Sequence, residues 1–400
     1  MKPGFIKMAL ILGLLSCVGP FAIDMYLPAL PQIAVSLKAP VEAVQYTLMS
    51  FFVAFGVCQL FYGPASDMFG RKPPLYFGLG LFLLASLGCA FAPTIEWLIA
   101  LRFLQGVGAA AVMSIPRAII RDCYTGNEGT RLMTTVMLVI SISPMLAPLA
   151  GSAVIGWLGW PSVFIAVALA AVVSLVLTRW SLEETLVPGN RVPFRMSAML
   201  EAFGVLFRDR TYMGLTLIGG LGMSSFFIFI STSSFLYTEY YGLSPTQFSL
   251  AFALNALGFF TSSQFAATLG ERYGAQPVVR VAVAGFALAS LVMVGLVSAG
   301  FNSFALLVTL LLTGNTFLGL VVPTSMVLAL DDHGPIAGTA AALGGAMQML
   351  LGAVAIVLVS LVFNGTPVVL AASIAICSVL AVILSITTLG KSAEPQMAGT

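Results

Sequence analysis

The chain has 400 residues, of which 59% are hydrophobic and only 8% are charged. Soluble domains carry about 25% charged residues, so this composition indicates an integral membrane protein. The net charge of +2 gives no reason to expect a nucleic-acid partner, and a single histidine disfavours Ser-His-Asp chemistry and His-rich metal sites. The five cysteines are well separated, in or beside apolar runs, and are interpreted as packing residues.

A helix that crosses a bilayer needs about 20 apolar residues. Windows of that kind predict an all-α membrane protein with twelve transmembrane helices, near residues 6–31, 42–65, 74–92, 95–120, 131–156, 160–180, 210–237, 246–269, 278–299, 302–330, 336–362 and 367–389. The first is interpreted as an uncleaved span rather than a signal peptide. The reason is that the apolar run continues past Ala22 without a convincing small-residue cleavage site.

The placement of basic residues predicts the orientation of these spans. Lys38 is the only base in a loop on one side of the predicted membrane. Because positively charged loops stay inside, both termini and the 181–209 connection are predicted to be cytoplasmic. The bases on that side are Lys2, Lys7, Arg71, Lys72, Arg121, Arg131, Arg179, Arg191, Arg195, Arg208, Arg210, Arg272, Arg280 and Lys391.

The 181–209 connection is the longest and most charged, and it divides the spans six and six. We therefore predict an N-terminal six-helix bundle at 1–180, a cytoplasmic linker at 181–209 and a C-terminal six-helix bundle at 210–400. Within the linker, Phe194 to Phe207 mixes bases with apolar residues at roughly helical spacing. This pattern predicts a short helix on the inner membrane face, and a plain linker is the alternative.

A faint repeat links the two halves. Asp67, Gly70 and Pro73 recur at the same spacing as Glu271, Gly274 and Pro277, each time between the second and third spans of a half. Internal duplication of this kind is typical of transporters whose binding site lies between two bundles.

Several segments resemble the major facilitator superfamily of transporters. Residues 63–73 (GPASDMFGRKP) resemble its signature loop between spans two and three, and residues 102–106 (RFLQG) with Arg121-Asp122 resemble its fourth-span motif. Residues 24–31 (DMYLPALP) resemble the first-span motif of its Bcr/CflA group of drug:proton antiporters. Residues 147–151 (APLAG) resemble the exporter motif of span five, although Ala147 stands where the family usually has glycine.

The resemblance implies a multi-pass protein of the bacterial inner membrane that exports amphipathic drugs of the bicyclomycin or chloramphenicol type. It implies a monomer that is driven by the proton gradient and uses no cofactor. Two alternatives of the same fold stay open: an importer or symporter of a small metabolite, and an exporter of an endogenous metabolite. A receptor or scaffold that has lost transport is a further alternative. A membrane-embedded enzyme is disfavoured, because a single membrane acid and a lone loop histidine do not form a hydrolytic site.

The signature loop is expected to act as a conformational latch. Gly63 and Gly70 are expected to give it a tight path. Asp67 is expected to face the positive N-terminal end of span eleven, and Arg71 to reach Asp122. The resemblance implies that this loop holds the bundles together on the inside while the transporter is open outward. Pro148 and Gly151 of span five are assigned to the same conformational machinery.

Asp24 is the only acid that the predicted spans place deep in the membrane, where a charge is costly. Buried carboxylates exchange protons near neutral pH, as a proton-driven antiporter requires, and a structural acid is the alternative. Arg102 is predicted at a similar depth, roughly 10 Å below the outer surface, and Gln105 lies one turn further on the same side. The resemblance implies that Arg102 and Gln105 take part in proton coupling; a structural tie between helices is the alternative for Arg102.

The drug is expected to bind between the two bundles, in a mostly apolar cavity with a few polar groups. Phenylalanine and methionine are more often lipid-facing or core residues than substrate contacts, so the assignment of each is a hypothesis. The resemblance favours Phe226, Phe227, Ile230 and Gln348. The candidate substrate-binding residues are Asp24, Leu48, Met49, Phe52, Ala109, Met113, Phe226, Phe227, Ile230, Asn255 and Gln348.

Overall fold

The computed structural model describes residues 3–124 and 126–389, and every regular element within them is helical. The α-helices are α1 (Pro3–Asp24), α2 (Leu30–Ser36), α3 (Val41–Phe69), α4 (Lys72–Ala90), α5 (Ile95–Cys123), α6 (Gly126–Leu158), α7 (Pro161–Ser181), α8 (Met196–Arg208), α9 (Arg210–Phe235), α10 (Pro245–Tyr273), α11 (Ala275–Ser298), α12 (Phe304–Leu330), α13 (Ala337–Ser360) and α14 (Pro367–Leu389).

The predicted all-α fold with twelve crossings is confirmed. Eleven segments of the described chain are long and apolar enough to span a membrane, and the longest, Phe304–Ser360, holds two helices, α12 and α13. One crossing is formed by α1 and α2 together, five by α3–α7 and six by α9–α14. Lys2 and Lys391, two of the bases used to orient the chain, lie outside the described residues.

The first crossing is a broken helix. Helix α1 ends at Asp24, a 3-10 turn follows at Leu27–Ala29, and α2 begins at Leu30. Pro28 has no N–H with which to extend the ladder of α1, which favours a break at this point. The break therefore leaves Asp24 and the last carbonyl groups of α1 inside the protein.

The predicted hinge at residues 63–73 is much shorter than expected. Helix α3 continues to Phe69, so Gly63 lies inside a helix and gives the chain no tight path, which corrects that prediction. Membrane helices tolerate an internal proline such as Pro64 because neighbouring groups satisfy the freed carbonyl. The turn consists of Gly70 and Arg71, and Gly70 has φ 94° and ψ 166°, a region that only glycine adopts readily.

The repeat between the halves has a structural basis. Gly274 ends α10 with φ 86°, just as Gly70 ends α3 with φ 94°, and both helices have 29 residues. The two halves differ in the next residue, which is Arg71 in the first and Ala275 in the second. The turn of the backbone is thus present in both halves, whereas a basic residue directly follows it in the first half alone.

The linker contains the predicted short helix, α8. Its buried residues, Ala202 and Leu206, lie on the side that packs against α9 and α13. The exposed apolar side chains Met196, Leu200 and Phe207 lie at spacings of four and seven residues, which places them on one other face of the helix. Helix α8 is therefore apolar on two faces.

The helical body has two ends, named the linker end and the far end. The linker end carries Gly70, Asp122 and Asp209, and the far end carries Leu27 and Ser244. At the linker end, Asp209 caps α9 by accepting the N–H groups of Thr211 and Tyr212 at 2.7 and 3.1 Å. At the far end, Ser244 and Gln247 form a capping box that starts α10.

Replacing Gly70 with alanine should destabilise the protein by about 1–3 kcal/mol, because the backbone would be strained. An added Cβ would also lie 2.8 Å from Glu184 Oε2. Gly63→Ala is the matched control: nothing lies within 4 Å of a Cβ at that position, and alanine favours the helix by about 1 kcal/mol. The thermal midpoint of the purified protein in detergent should fall for Gly70→Ala only; equal midpoints would contradict this description of the turn.

Candidate functional site

Asp24 lies at the carboxyl end of α1, where the helix breaks, and its side chain is buried. None of the ion pairs between described residues involves Asp24. A carboxylate at the negative end of a helix dipole gains no stabilisation from that helix. The site therefore holds an acid without a cationic partner in an apolar surrounding.

Arg102 is fully buried and forms no ion pair with Asp24, although their similar depth would permit one. Its Nη1 donates to the carbonyl oxygen of Ala22 at 3.1 Å. Its guanidinium lies over the rings of Tyr26 and Phe51, with 4.6 and 4.5 Å from Cζ to the ring centroids. Arg102 thus covers the exposed carbonyl end of α1, where a positive charge is favoured by the helix dipole.

Gln105 extends the contacts of Arg102 across the N-terminal half. Arg102 Nη1 donates to Gln105 Oε1 at 2.6 Å, and Gln105 Nε2 donates to Ser86 Oγ of α4 at 2.8 Å. The predicted proximity of Arg102 and Gln105 is therefore observed. Two nitrogen atoms of Arg102, Nε and Nη2, are buried and have no hydrogen-bond partner within the described part of the chain. They are donors available for another acceptor.

The predicted aromatic and apolar substrate residues lie in several different contacts. Phe52 of α3 and Phe227 of α9 stack across the two halves, with ring centroids 4.2 Å apart and an interplanar angle of 18°. Phe226 stacks on Phe259 of its own half at 5.4 Å. Ala109 and Met113 both lie 3.8 Å from the position of a Cβ on Gly19, so they face α1. Leu48 and Ile230 are buried, and Met49 is half-buried.

Asn255 and Gln348 differ in their surroundings. Asn255 is fully buried, donates to the carbonyl oxygen of Ala251 at 3.0 Å and accepts from Asn315 Nδ2 at 3.4 Å. All of these groups belong to the second half, so its amide is already satisfied there. Gln348 is half-buried, and its Nε2 lies 3.1 Å from the position of a Cβ on Gly219 of α9. Gln348 is thus at the contact of α13 with α9.

Hydrogen bonds between the two halves lie at the far end. Gln45 Nε2 donates to the carbonyl oxygen of Ser231 at 3.1 Å, and Ser234 Oγ donates to that of Leu27 at 2.7 Å. Ser249 Oγ lies 2.8 Å from the carbonyl oxygen of Pro148 in the exporter-like segment. These neutral bonds close the far end of the protein.

Gly151 of the same segment lies against the broken first crossing. A Cβ on Gly151 would collide with the carbonyl oxygen of Met25, the residue after Asp24. Glycine is therefore required for the close approach of α6 to the break in α1.

At the linker end, Arg71 joins the acids of two helices. Its Nε and Nη2 donate to the two carboxylate oxygens of Asp122 at 2.7 and 3.1 Å, and its Nη1 donates to Asp67 at 2.5 Å. The side chain of Asp67 is 41% exposed. The hydrogen bonds and ion pairs of Asp67 among the described residues go to Arg71 and Val192, so the expected contact with span eleven is not made.

Three groups of contact residues were missed by sequence reasoning. Two of these groups are the aromatic rings of Tyr26 and Phe51 and the serines at the far end. Both consist of residue types that are common in any membrane core. Glu184 of the linker accepts the backbone N–H groups of Arg71 and Lys72 at 2.8 and 3.0 Å. Sequence reasoning could place Glu184 after span six but could not identify its partners, because they lie more than 100 residues away in the chain.

Comparisons with known proteins agree with this architecture. Residues 12–356 match the family model of the Major Facilitator Superfamily. An uncharacterized MFS-type transporter of Bacillus subtilis, YdgK, is 34% identical over 87% of this chain and 87% of that protein. A bicyclomycin resistance protein homolog of Haemophilus influenzae is 30% identical over 86% of each chain. The solved nucleoside transporter NupG has a TM-score of 0.75 at 14% identity, over 96% of this chain and 99% of that one.

Ser234→Ala should weaken closure of the far end, because it removes a bond between the halves. A buried neutral hydrogen bond contributes about 0.5–1.5 kcal/mol, so the open population should rise roughly 2- to 10-fold. Ser224→Ala is the control, since Ser224 bonds to Gly220 of its own helix.

The populations can be measured from the distance between nitroxide labels at Glu96→Cys and Phe301→Cys. Both positions are exposed at the far end, in different halves, and the five native cysteines are first replaced. An identical distance distribution in the Ser234 and Ser224 variants would contradict the assigned role of this contact.

Proposed function

Because the chain belongs to the major facilitator superfamily, a family of membrane transporters, we propose that it exports amphipathic small molecules in exchange for protons by alternating access. Drugs of the bicyclomycin or chloramphenicol type are the substrates we propose, and the name of the Haemophilus influenzae relative supports this class. The many apolar and aromatic side chains between α3, α9 and α13 suit such molecules better than a highly polar metabolite.

The observations that carry the proposal are an unpaired acid at the break of α1 and an incompletely bonded arginine that binds the last turn of the same helix. Asp24 is buried at the break of α1 and has no ion-pair partner among the described residues. Arg102 is bonded to Ala22, two residues earlier, and keeps two buried nitrogen atoms without a partner. The acid and the bond of Arg102 to Ala22 therefore both lie at the break of the first crossing.

In the proposed cycle, Asp24 carries the transported proton. A protonated Asp24 leaves Arg102 on the carbonyl oxygen of Ala22, the arrangement in the structure. Loss of the proton creates a carboxylate that attracts the unpartnered nitrogen atoms of Arg102. Gln105 moves with Arg102, because it is bonded to the same guanidinium. Differential affinity for drug in the two arrangements then couples the proton to transport.

The orientation and location are part of the same proposal. We place both termini and the linker end in the cytoplasm of a bacterial cell, with the protein as a monomer in the inner membrane. The closed far end would then face outward, so the cytoplasmic side receives the drug. The exposed apolar face of α8, formed by Met196, Leu200 and Phe207, would lie on the inner lipid surface.

Asp24→Asn should abolish gradient-driven export while leaving the protein folded, because asparagine has similar size but cannot exchange a proton. Ethidium, chloramphenicol and bicyclomycin serve as probes in everted membrane vesicles, with and without a proton uncoupler. Glu96→Gln, the loss of an exposed far-end acid, is the control and should transport normally. Normal export by the Asp24 variant would exclude this residue from coupling, and export that resists the uncoupler would exclude the proton as the driving ion.

A further inference from the structure

The first part of the linker, residues 182–192, runs across the turn between α3 and α4 and is bonded to it at several points. We name this segment the strap. Lys72 Nζ donates to the carbonyl oxygen of Leu182 at 2.7 Å, and the N–H of Val192 donates to the carbonyl oxygen of Asp67 at 3.1 Å. The strap is thus fixed on both sides of the turn.

Glu184 is the centre of these contacts. Its Oε1 accepts the N–H groups of Arg71 and of Leu186 at 2.8 and 3.1 Å, and its Oε2 accepts the N–H of Lys72 at 3.0 Å. Helix α4 begins at Lys72, so Glu184 caps its positive end from a distant part of the chain. Burial opposes ionisation of this carboxyl, but the bonds from Lys72, Arg71 and Leu186 outweigh it and hold its pKa below the usual value.

Thr185 of the strap and Arg71 of the signature loop bind the same acid, Asp122. Thr185 Oγ1 donates at 3.0 Å to Asp122 Oδ2, the same oxygen that accepts Nε of Arg71 at 2.7 Å. The backbone of Arg71 is therefore held by Glu184, while its side chain and Thr185 bind one carboxylate. A shift of the strap moves both the base and its acid.

The strap leads directly to the second half. It continues into α8, which packs against α13, the helix whose first turn lies on the other side of the interface. The packing of Gly56 against Met349 and of Gly345 against Gln59 brings α3 and α13 together. This antiparallel register places Asp67 level with the start of α13.

From these contacts we infer that Glu184 is a positioning residue for transport: it holds the turn so that Arg71 keeps Asp67 ready to meet α13 when the linker end closes. The inference rests on the proposed alternating-access function. Glycine at position 70 makes room for this contact, since a side chain there would collide with the Glu184 carboxylate. Loss of Glu184 leaves the acid and base of the latch in place but frees the backbone that aims them.

The test compares Glu184→Ala with Glu183→Ala, a variant that removes the same charge from an exposed neighbour outside these contacts. Hydrogen exchange followed by mass spectrometry reports on the amides of Arg71 and Lys72, in a peptide covering residues 68–76. Exchange should become about 3- to 30-fold faster in Glu184→Ala, the effect of losing a helix cap, and should stay unchanged in Glu183→Ala. Glu184→Gln, which keeps one acceptor oxygen, should lie between them.

The consequence for conformation is measured without substrate. Nitroxide labels at Asn127→Cys and Glu271→Cys, exposed positions at the linker end of the two halves, should show a larger population with long separations in Glu184→Ala. For ethidium export, the maximal rate should fall by at least about threefold while the KM stays within about twofold, because binding is not affected. Circular dichroism and gel filtration confirm that the variants are folded.

Three results would overturn the inference: unchanged amide exchange in Glu184→Ala, faster exchange with wild-type label distances, or equal effects of both alanine variants. If the wild-type protein exported none of the probes, the transport proposal would fail. The exchange and the label distances would still decide whether Glu184 positions the turn and the linker end.

Discussion

The architecture depends on how the broken end of the first crossing is satisfied inside a membrane. A bilayer offers no water to the last carbonyl groups of a helix, so a break is tolerated only where protein groups cover it. Arg102 does so through its bond to Ala22 at 3.1 Å and its two aromatic contacts. A buried guanidinium is costly, and the break with its dipole is what makes this position acceptable. Arg102 is thus held at the carboxyl end of α1, where Asp24 also lies, without pairing with that acid.

The two ends of the protein use different chemistry. The far end is closed by neutral hydrogen bonds to backbone carbonyl oxygens, each worth about 0.5–1.5 kcal/mol. Such bonds are exchanged for water at little cost when the halves separate. At the linker end, Arg71 binds Asp67 and Asp122 of the first half and, through its backbone, Glu184 of the linker. These charged contacts thus exist without the second half, which suits the alternating access proposed above.

The crossings could be predicted from sequence because the bilayer imposes one strong requirement, a long apolar segment, on each of them. The turn at Gly70 was also predictable, since its repeat at Gly274 marks a backbone conformation that favours glycine. Gly63 was misjudged because Gly-Pro indicates a turn in water, whereas a membrane helix continues through it. Propensities learned from soluble proteins do not transfer at such points.

The side-chain partners were less predictable, for reasons of geometry. Depth along a helix placed Arg102 near Asp24, but the direction of each side chain around its helix decided the contact, and Arg102 turned to Ala22. Asn255 was proposed as a substrate ligand because it is an isolated amide in one helix, yet Asn315 of a second helix lies beside it. Glu184 acts on residues far away in the chain, and no local pattern marks such an acid.

The proposed competition of drug and proton through Asp24 can be tested by measuring proton release on drug binding. Purified protein in weakly buffered detergent, with a pH-indicating dye, is titrated with a substrate that it exports. The account predicts release of about one proton for each molecule bound by the wild-type protein, because linkage between two ligands is reciprocal. It predicts none from Asp24→Asn, even though that variant still binds the substrate. Equal proton release from the two proteins would contradict the account.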